Sequence, residues 1–382
     1  MRRRGYRIPF VVPLDPGFLM AQRRDFEKGL GWPVKRFRYY YLARNGIWHG
    51  VDSLGLKPGD TVLMPAYHHG VEAETLLRRG IRLVYYRVDK TLQADLDHVQ
   101  RLLTPGIRAL YVIHYLGFPQ PIRELSGLAE ERGLPLIEDC ALSLFSSAGG
   151  QPLGSFGDIS IFCLYKSLPV PHGGMLILNR RELPLPPATK TPNWTSTAAY
   201  LSHRLLDALE LRRGGRSGFA PVGLARRLGR TLKGTMNLQT VPIDTDRLDL
   251  STLDLGVAPI TRFLLDRFDP TLFVARRRDN FTALLAALDP AVQIAVRELP
   301  QGACPLSLPV LVPDKPRVQA RLLEDGIQTV NFWSQWHANI PQEAFPEVSF
   351  LRRHLLEVPI HQELNREHME YIAMFLNQHA RW

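Results

Sequence analysis

From about Tyr39 to Asn179 the chain alternates short β-branched runs with helical stretches, and no other feature limits its fold so strongly. Residues 61–64, 82–86, 109–114, 135–139, 159–163 and 175–178 read as strands. Helices are expected over 47–56, 70–79, 96–103 and 122–132, with breaks at Lys57-Pro58-Gly59-Asp60, Gly80 and Gly133. The run Ala109-Leu-Tyr-Val-Ile-His114 is continuously apolar up to its last residue. A strand without alternation is buried on both faces, as in a parallel sheet covered by helices. This spacing predicts right-handed βαβ units and an α/β fold with a mostly parallel sheet. Ligands of such sheets bind beyond the carboxyl ends of the strands. Residues 65–70, 114–117, 139–142 and 165–174 are therefore expected to converge on one cleft.

Composition narrows the class. With 45% hydrophobic and 22% charged residues, the 382-residue chain can bury a large core and is neither disordered nor fibrous. Its length suits two domains, or one large domain with an appendage. Cys140, Cys163 and Cys304 are far apart, with no Cys-x-x-Cys and no nearby histidine pair, so neither a disulfide framework nor a zinc site is expected. Arg2-Arg3-Arg4 resembles the start of a signal peptide, but Arg7, Pro9, Pro13, Asp15 and Pro16 break up the stretch where its apolar core would lie. No apolar segment of roughly twenty residues occurs, and a cytoplasmic, reduced protein is expected. The net charge of +10 favours acidic partners.

After Asn179 the pattern changes. Residues 184–192 are rich in proline and read as a linker, followed by an amphipathic helix over 200–211. Residues 204–233 carry Arg204, Arg212, Arg213, Arg216, Arg226, Arg227, Arg230 and Lys233 against Asp207 and Glu210. Leu201, Leu205, Leu206 and Leu209 recur at helical spacing just there. The segment reads either as a contact for an anionic membrane or polyanion, or as a solvated cover on the large domain. Aromatic interleaving is thin, and no nucleic-acid partner is expected. Helices over 258–268, 270–288, 317–325 and 366–379 and a strand over 307–312 suggest a smaller C-terminal α/β domain. The expected division is 1–255, with a basic helical insertion at about 195–240, and 256–382.

Two residues at the expected cleft carry chemistry. Asp139 ends one strand, and Lys166 lies just beyond another, ahead of Gly173-Gly174. A lysine there can form a Schiff base with an aldehyde cofactor, and an aspartate beside a pyridine nitrogen keeps it protonated. Pyridoxal 5′-phosphate (PLP) requires both. Spacing alone leaves a second reading open, in which Asp139 caps a helix and Lys166 is an exposed loop lysine.

Motifs around these residues resemble those of the DegT-type sugar aminotransferases, a branch of the fold-type-I PLP enzymes. They run through Leu54-Gly-Leu-Lys-Pro-Gly-Asp60, Met64-Pro-Ala-Tyr67, Ile113-His-Tyr-Leu-Gly117, Ile137-Glu-Asp-Cys-Ala141, Gly154-Ser-Phe-Gly-Asp158 and Lys166-Ser-Leu168, ending at Gly173-Gly174. Leu356-Glu-Val-Pro-Ile-His-Gln-Glu-Leu364 is similar to the family's closing motif. The resemblance implies a three-layer large domain with a smaller C-terminal one, and PLP as cofactor. It implies Lys166 as the Schiff-base lysine and Asp139 as the partner of the ring nitrogen. It places His69, preceded by His68, where the family stacks an aromatic on the ring; the alternative is a half-buried loop histidine. Ala43, Arg44 and Asn45 fall where the family cradles the phosphate at a helix start, Arg44 alternatively being a solvated surface residue.

The chain also departs from the family. Leu142 stands where a glutamine is common, and Cys163 where a phosphate-binding serine precedes the lysine. The partner subunit's usual asparagine-tyrosine segment is not recognisable near Gly256-Val-Ala-Pro259. The presence of Lys166 argues against the dehydratase branch, in which a histidine replaces it. The function implied is PLP-dependent transfer of an amino group, from glutamate, to a keto-sugar or related carbonyl. The small-molecule substrate would be phosphorylated or nucleotide-linked, and the enzyme a homodimer. The alternatives are a non-transaminating PLP enzyme of the same fold, or a membrane-surface or polyanion-binding protein.

Overall fold

The computed structural model describes residues 5–213 and 248–382. Its centre is a seven-stranded sheet of β1 (Phe37–Tyr40), β2 (Thr61–Pro65), β3 (Arg82–Tyr86), β4 (Ile107–Ile113), β5 (Leu136–Asp139), β8 (Ile159–Cys163) and β9 (Gly174–Leu178). A short hairpin of β6 (Ser147–Ala148) and β7 (Gln151–Pro152) lies between β5 and β8. The sheet order is β1-β9-β8-β5-β4-β2-β3. Strands β8, β5, β4, β2 and β3 run parallel, and β9 is antiparallel to both β8 and β1. The expected mostly parallel α/β sheet is present, with an antiparallel edge that the apolar runs do not foretell: β1 is too short and too polar to announce itself.

Helices follow the strands as the crossover rule requires. The helices are α1 (Phe26–Gly29), α2 (Ala43–Ser53), α3 (Val71–Arg78), α4 (Leu96–Leu102), α5 (Ile122–Glu131) and the single turn α6 (Leu164–Ser167). Helix α2 starts four residues earlier than its apolar pattern suggests. It lies close on β8 and β9 through two glycines one turn apart. A Cβ at Gly50 would stand 2.6 Å from Ile159 Cδ1, and one at Gly46 3.3 Å from Leu176 Cβ. Strand β4 is buried at every position but Arg108, in keeping with helices on both faces.

Helix α7 (Trp194–Arg213) is longer than expected and is not a solvated cover: Arg204, Asp207 and Glu210 are buried. Arg212 pairs with Asp15. Arg216, Arg226, Arg227, Arg230 and Lys233 lie outside the described residues, as does the Arg213 side chain. Helices α8 (Pro259–Leu265) and α9 (Pro270–Ala287) lead into a second, antiparallel sheet of β10 (Gln293–Ile294), β11 (Ser307–Leu311), β12 (Val330–Asn331) and β13 (Leu355–Pro359), in the order β10-β11-β13-β12. Helices α10 (Lys315–Glu324), α11 (Pro346–His354) and α12 (Arg366–His379) complete this part. The resembled closing motif supplies β13, the pairing partner of both β11 and β12.

The second sheet's connections lie over the carboxyl ends of the first sheet's strands. Leu306 N–H donates to Leu116 O at 2.8 Å, and a Cβ at Gly117 would stand 2.0 Å from Cys304 O. That close approach closes one wall of the cleft.

Candidate active site

Asp139 ends β5 and is buried. Its Oδ2 accepts from the Tyr111 hydroxyl at 2.6 Å, and its Oδ1 from Ala141 N–H at 2.9 Å. Burial, and after it the neighbouring charge of Glu72, pushes its pKa up to about 6. The Tyr111 and Ala141 hydrogen bonds oppose the rise, as does the positive charge of Lys166. Glu72 is itself buried, in the first turn of α3, and accepts from Gly70 N–H at 3.1 Å. Neither Tyr111 nor Glu72 stood out in the sequence. The signal for Tyr111 was a single phenol in a stretch otherwise apolar from Ala109 to Ile113. What aims it at Asp139 is the pairing of β4 beside β5, with Tyr111 opposite Ile137 and Ile113 opposite Asp139.

Lys166 sits half-buried on α6, directly after β8. Its charge acts on the Cys163 thiol as well as on Asp139, which places the three near one another. Burial raises the Cys163 thiol above its usual value, while Lys166 and Arg44 pull it down. Arg44 is therefore no solvated surface residue: it is buried beside Cys163 at the start of α2. The N-cap of that helix, Leu42, lends no side-chain hydrogen bond. A Cβ at Gly174 would stand 2.4 Å from Ala43 N, so the strand start and the helix start meet only because residue 174 is glycine. Asn45 is committed elsewhere: Nδ2 donates to Thr252 O at 2.7 Å and its N–H to Leu42 O at 3.2 Å. Leu142 is buried, followed by Ser143, whose hydroxyl donates to His114 O at 3.0 Å.

The two histidines after Tyr67 part company. His68 is fully buried and stacks on Tyr85 at 5.8 Å, and among the described residues neither ring nitrogen has a hydrogen-bond partner. Burial, then the charges of Arg352, His337 and His69, hold its pKa well below the ordinary histidine value, so it is neutral. His69 is half-buried, with its ring edge-on to Trp333 at 6.3 Å. Trp333 adopts φ 39°, a left-handed conformation that a bulky residue holds only under packing. It stacks on Phe332 at 4.3 Å and meets Tyr67 edge-on at 5.3 Å. Arg352, from α11, donates to His68 O at 3.0 Å and tethers this cover to the loop after β2.

The structure thus brings Asp139, Lys166, Cys163 and Arg44 together and sets His69 under the aromatic cover. The sequence profile of the DegT/DnrJ/EryC1/StrS aminotransferase family matches residues 45–184. Over that stretch the chain resembles the family. The matched segment takes in β2 to β9 and their strand ends. A dTDP-4-dehydro-2,3,6-trideoxy-D-glucose 4-aminotransferase of Saccharopolyspora spinosa is 37% identical over 162 residues. That alignment covers 42% of this chain and 42% of that protein, so the chain spans about two-fifths of the length of this curated relative. Solved structures match over nearly the whole chain. The aminotransferase TlmJ from Streptoalloteichus hindustanus superposes with a TM-score of 0.65 at 20% identity, covering 97% of this chain and 98% of that one. A GDP-4-keto-6-deoxymannose-3-dehydratase with a trapped PLP-glutamate geminal diamine gives 0.66 at 14% identity, covering 97% and 100%. At these identities the structures show a shared fold. No described helix is long and apolar enough to cross a membrane.

Proposed function

We propose that the chain is a PLP-dependent aminotransferase that transfers an amino group, from glutamate, to the keto group of a nucleotide-linked sugar. The observation that carries this reading is Asp139: a buried carboxylate whose pKa is pushed up to about 6, within the field of Lys166, at the carboxyl edge of a parallel sheet. Such a group lacks a strong cationic partner, and a protonated ring nitrogen is one. Each Asp139 oxygen has one hydrogen bond in hand and a lone pair to spare. At the other end of the crevice, the start of α2 with Arg44 beside it suits a phosphate. The residues present therefore fit the cofactor at both ends.

Bound PLP would supply an electron sink for a developing carbanion. Asp139 would hold the ring nitrogen protonated, with Tyr111 fixing the carboxylate's direction. Ala43 and Arg44 would hold the phosphate, with Cys163 against it, and His69 would face the ring. Lys166 would carry the imine link and, once freed by the amino donor, would move the substrate's proton as acid and base. Leu142 leaves the glutamine's usual contact unmade. Asn45, whose donors face Thr252 and Leu42, drops out of the phosphate set. A homodimer, a cytoplasmic location and a division near residue 255 between a cofactor-binding part and a C-terminal cover belong to the same proposal.

Two measurements test it. Protein reconstituted with PLP should show an imine absorbance on the order of 400–430 nm, and borohydride should fix the cofactor on the peptide containing Lys166. Glutamate should then bleach the band and yield 2-oxoglutarate. A colourless protein after reconstitution defeats the cofactor reading. A coloured protein inert to glutamate defeats the donor alone.

A further inference from the structure

Lys166 stands on a helical turn of four residues, too short to hold itself. The carbonyls at the end of such a turn have no partner within it. Two arginines distant in sequence supply those partners. Arg204, on α7, donates from Nη2 to Tyr165 O at 2.8 Å and from Nη1 to Val12 O at 2.7 Å. Arg277, on α9, donates from Nη2 to Ser167 O at 3.2 Å. It also donates from Nη1 to Leu306 O at 2.7 Å and Pro305 O at 3.2 Å, and from Nε to Gln362 Oε1 at 3.2 Å. The carbonyls immediately before and after Lys166 are thus each gripped by a guanidinium.

Both arginines are buried, at 3% and 1% exposure. Burial lowers each to about 10, so both remain cationic at neutral pH. Burying a guanidinium is unfavourable, and a stability role alone is more cheaply filled by apolar side chains. What a guanidinium offers here is geometry, a rigid planar fork that reaches several acceptors at once. Through these forks the turn is tied on one side to the N-terminal segment at Val12. On the other side it is tied to the approach to the second sheet, at Leu306, and to the closing motif, at Gln362.

We propose that Arg204 and Arg277 are positioning residues for Lys166, clamping the carbonyls on either side of it so that its amine is held toward the carbonyl carbon it must bind. The inference rests on the reading of Lys166 as the imine-forming lysine. It makes the reactive lysine dependent on two segments outside the family-matched stretch, α7 and α9.

The test compares Arg204→Met, Arg277→Met, Arg204→Lys and Arg277→Lys with wild type. Each protein is incubated with PLP and quenched with borohydride at intervals. Peptide mass spectrometry then gives the rate of capture at Lys166 and, within the same molecule, at the exposed Lys57. Thermal midpoints are recorded in parallel. The methionine variants should capture at Lys166 about tenfold to a hundredfold more slowly, with Lys57 unchanged. The lysine variants, which keep the charge and part of the reach, should recover some of that loss. Folded variants that capture at the wild-type rate overturn the clamp and leave the reading of Lys166 intact. No capture at Lys166 in wild type defeats that reading itself. If the methionine variants do not fold, the lysine variants decide by the same rate. Insolubility of all four would mean that the arginines hold the fold, and would overturn the proposal.

Discussion

Glu138 and Asp139 are neighbours on β5, both buried carboxyls, pointing to opposite sides of the same strand. Their surroundings could hardly differ more. Glu138 accepts from three backbone N–H groups, of Gly154, Phe156 and Gly157, at 2.5, 2.9 and 2.8 Å. His114 Nε2 lies 3.2 Å away, and the Cys140 thiol donates at 3.7 Å. His114 Nδ1 accepts from Gln120 N–H at 3.0 Å, so the proton is on Nε2 and faces Glu138. His114, Glu138 and Cys140 come close enough to suggest a metal site, with ligand atoms within 4.8 Å of one another. Their donors and acceptors are already matched to each other and to the loop at 154–157. Asp139 accepts two hydrogen bonds and is left with a raised pKa. A saturated carboxylate stabilises a fold, and an unsaturated one is kept for a partner not yet in place.

Four experiments can break this contrast or sharpen it. The largest effect is expected from Lys166→Ala, which should lower the glutamate half-reaction by at least about 10³-fold while leaving the thermal midpoint near wild type. Retained turnover would remove the acid–base role. Next, Asp139→Asn should cost about 10²-fold in the same half-reaction with little loss of stability, since it removes a poorly compensated charge. Glu138→Gln should do the reverse. It turns an amide N–H₂ toward existing donors and should cost about 3 kcal/mol in urea unfolding. Equal stability losses in the two variants would erase the distinction.

The third concerns pH. Asp139 ionises with a pKa of about 6 in the folded, cofactor-free protein, against 3.8 as the ordinary value. Between those values the folded state holds the proton more tightly than the unfolded chain. The stability it adds is present below about pH 4 and is lost as pH rises through about 6. Wild type should therefore lose about 3 kcal/mol relative to Asp139→Asn over that window. A parallel pH dependence in the two proteins would contradict the raised pKa. The smallest effect belongs to Tyr111→Phe, which deletes one hydrogen bond to Asp139. It should cost about 1 kcal/mol and a severalfold loss of half-reaction rate, and an unchanged rate would show that the phenol does not orient the carboxylate.

Much of the fold could be read before any coordinates, because a buried parallel strand leaves a mark that local sequence can carry. Residues 109–113 are apolar throughout, Leu136 and Ile137 lead into the acids that end their strand, and the glycines at 80 and 133 end their helices. Asp139 and Lys166 could be placed at strand ends for the same reason. Reading failed where the cause was not local. Strand β1 is four residues long and half-exposed, and it is a strand because β9 runs beside it. Arg204 looked like one of a row of surface cations, since charge in a sequence carries no sign of burial. It is inside because Tyr165 O and Val12 O are there to receive it. Arg44 was open to the same misreading, and it too is buried.

The amino-acid sequence determined where the apolar strands of the first sheet and the helices between them lie, because both depend on neighbours within a few positions. Tertiary structure alone decided the partners. Tyr111 reaches Asp139 across 28 positions, Arg277 reaches Ser167 across 110, and Arg352 reaches His68 across 284. Periodicity records whether a side chain is buried, and a hydrogen bond over such distances depends on which strands and helices come to lie side by side.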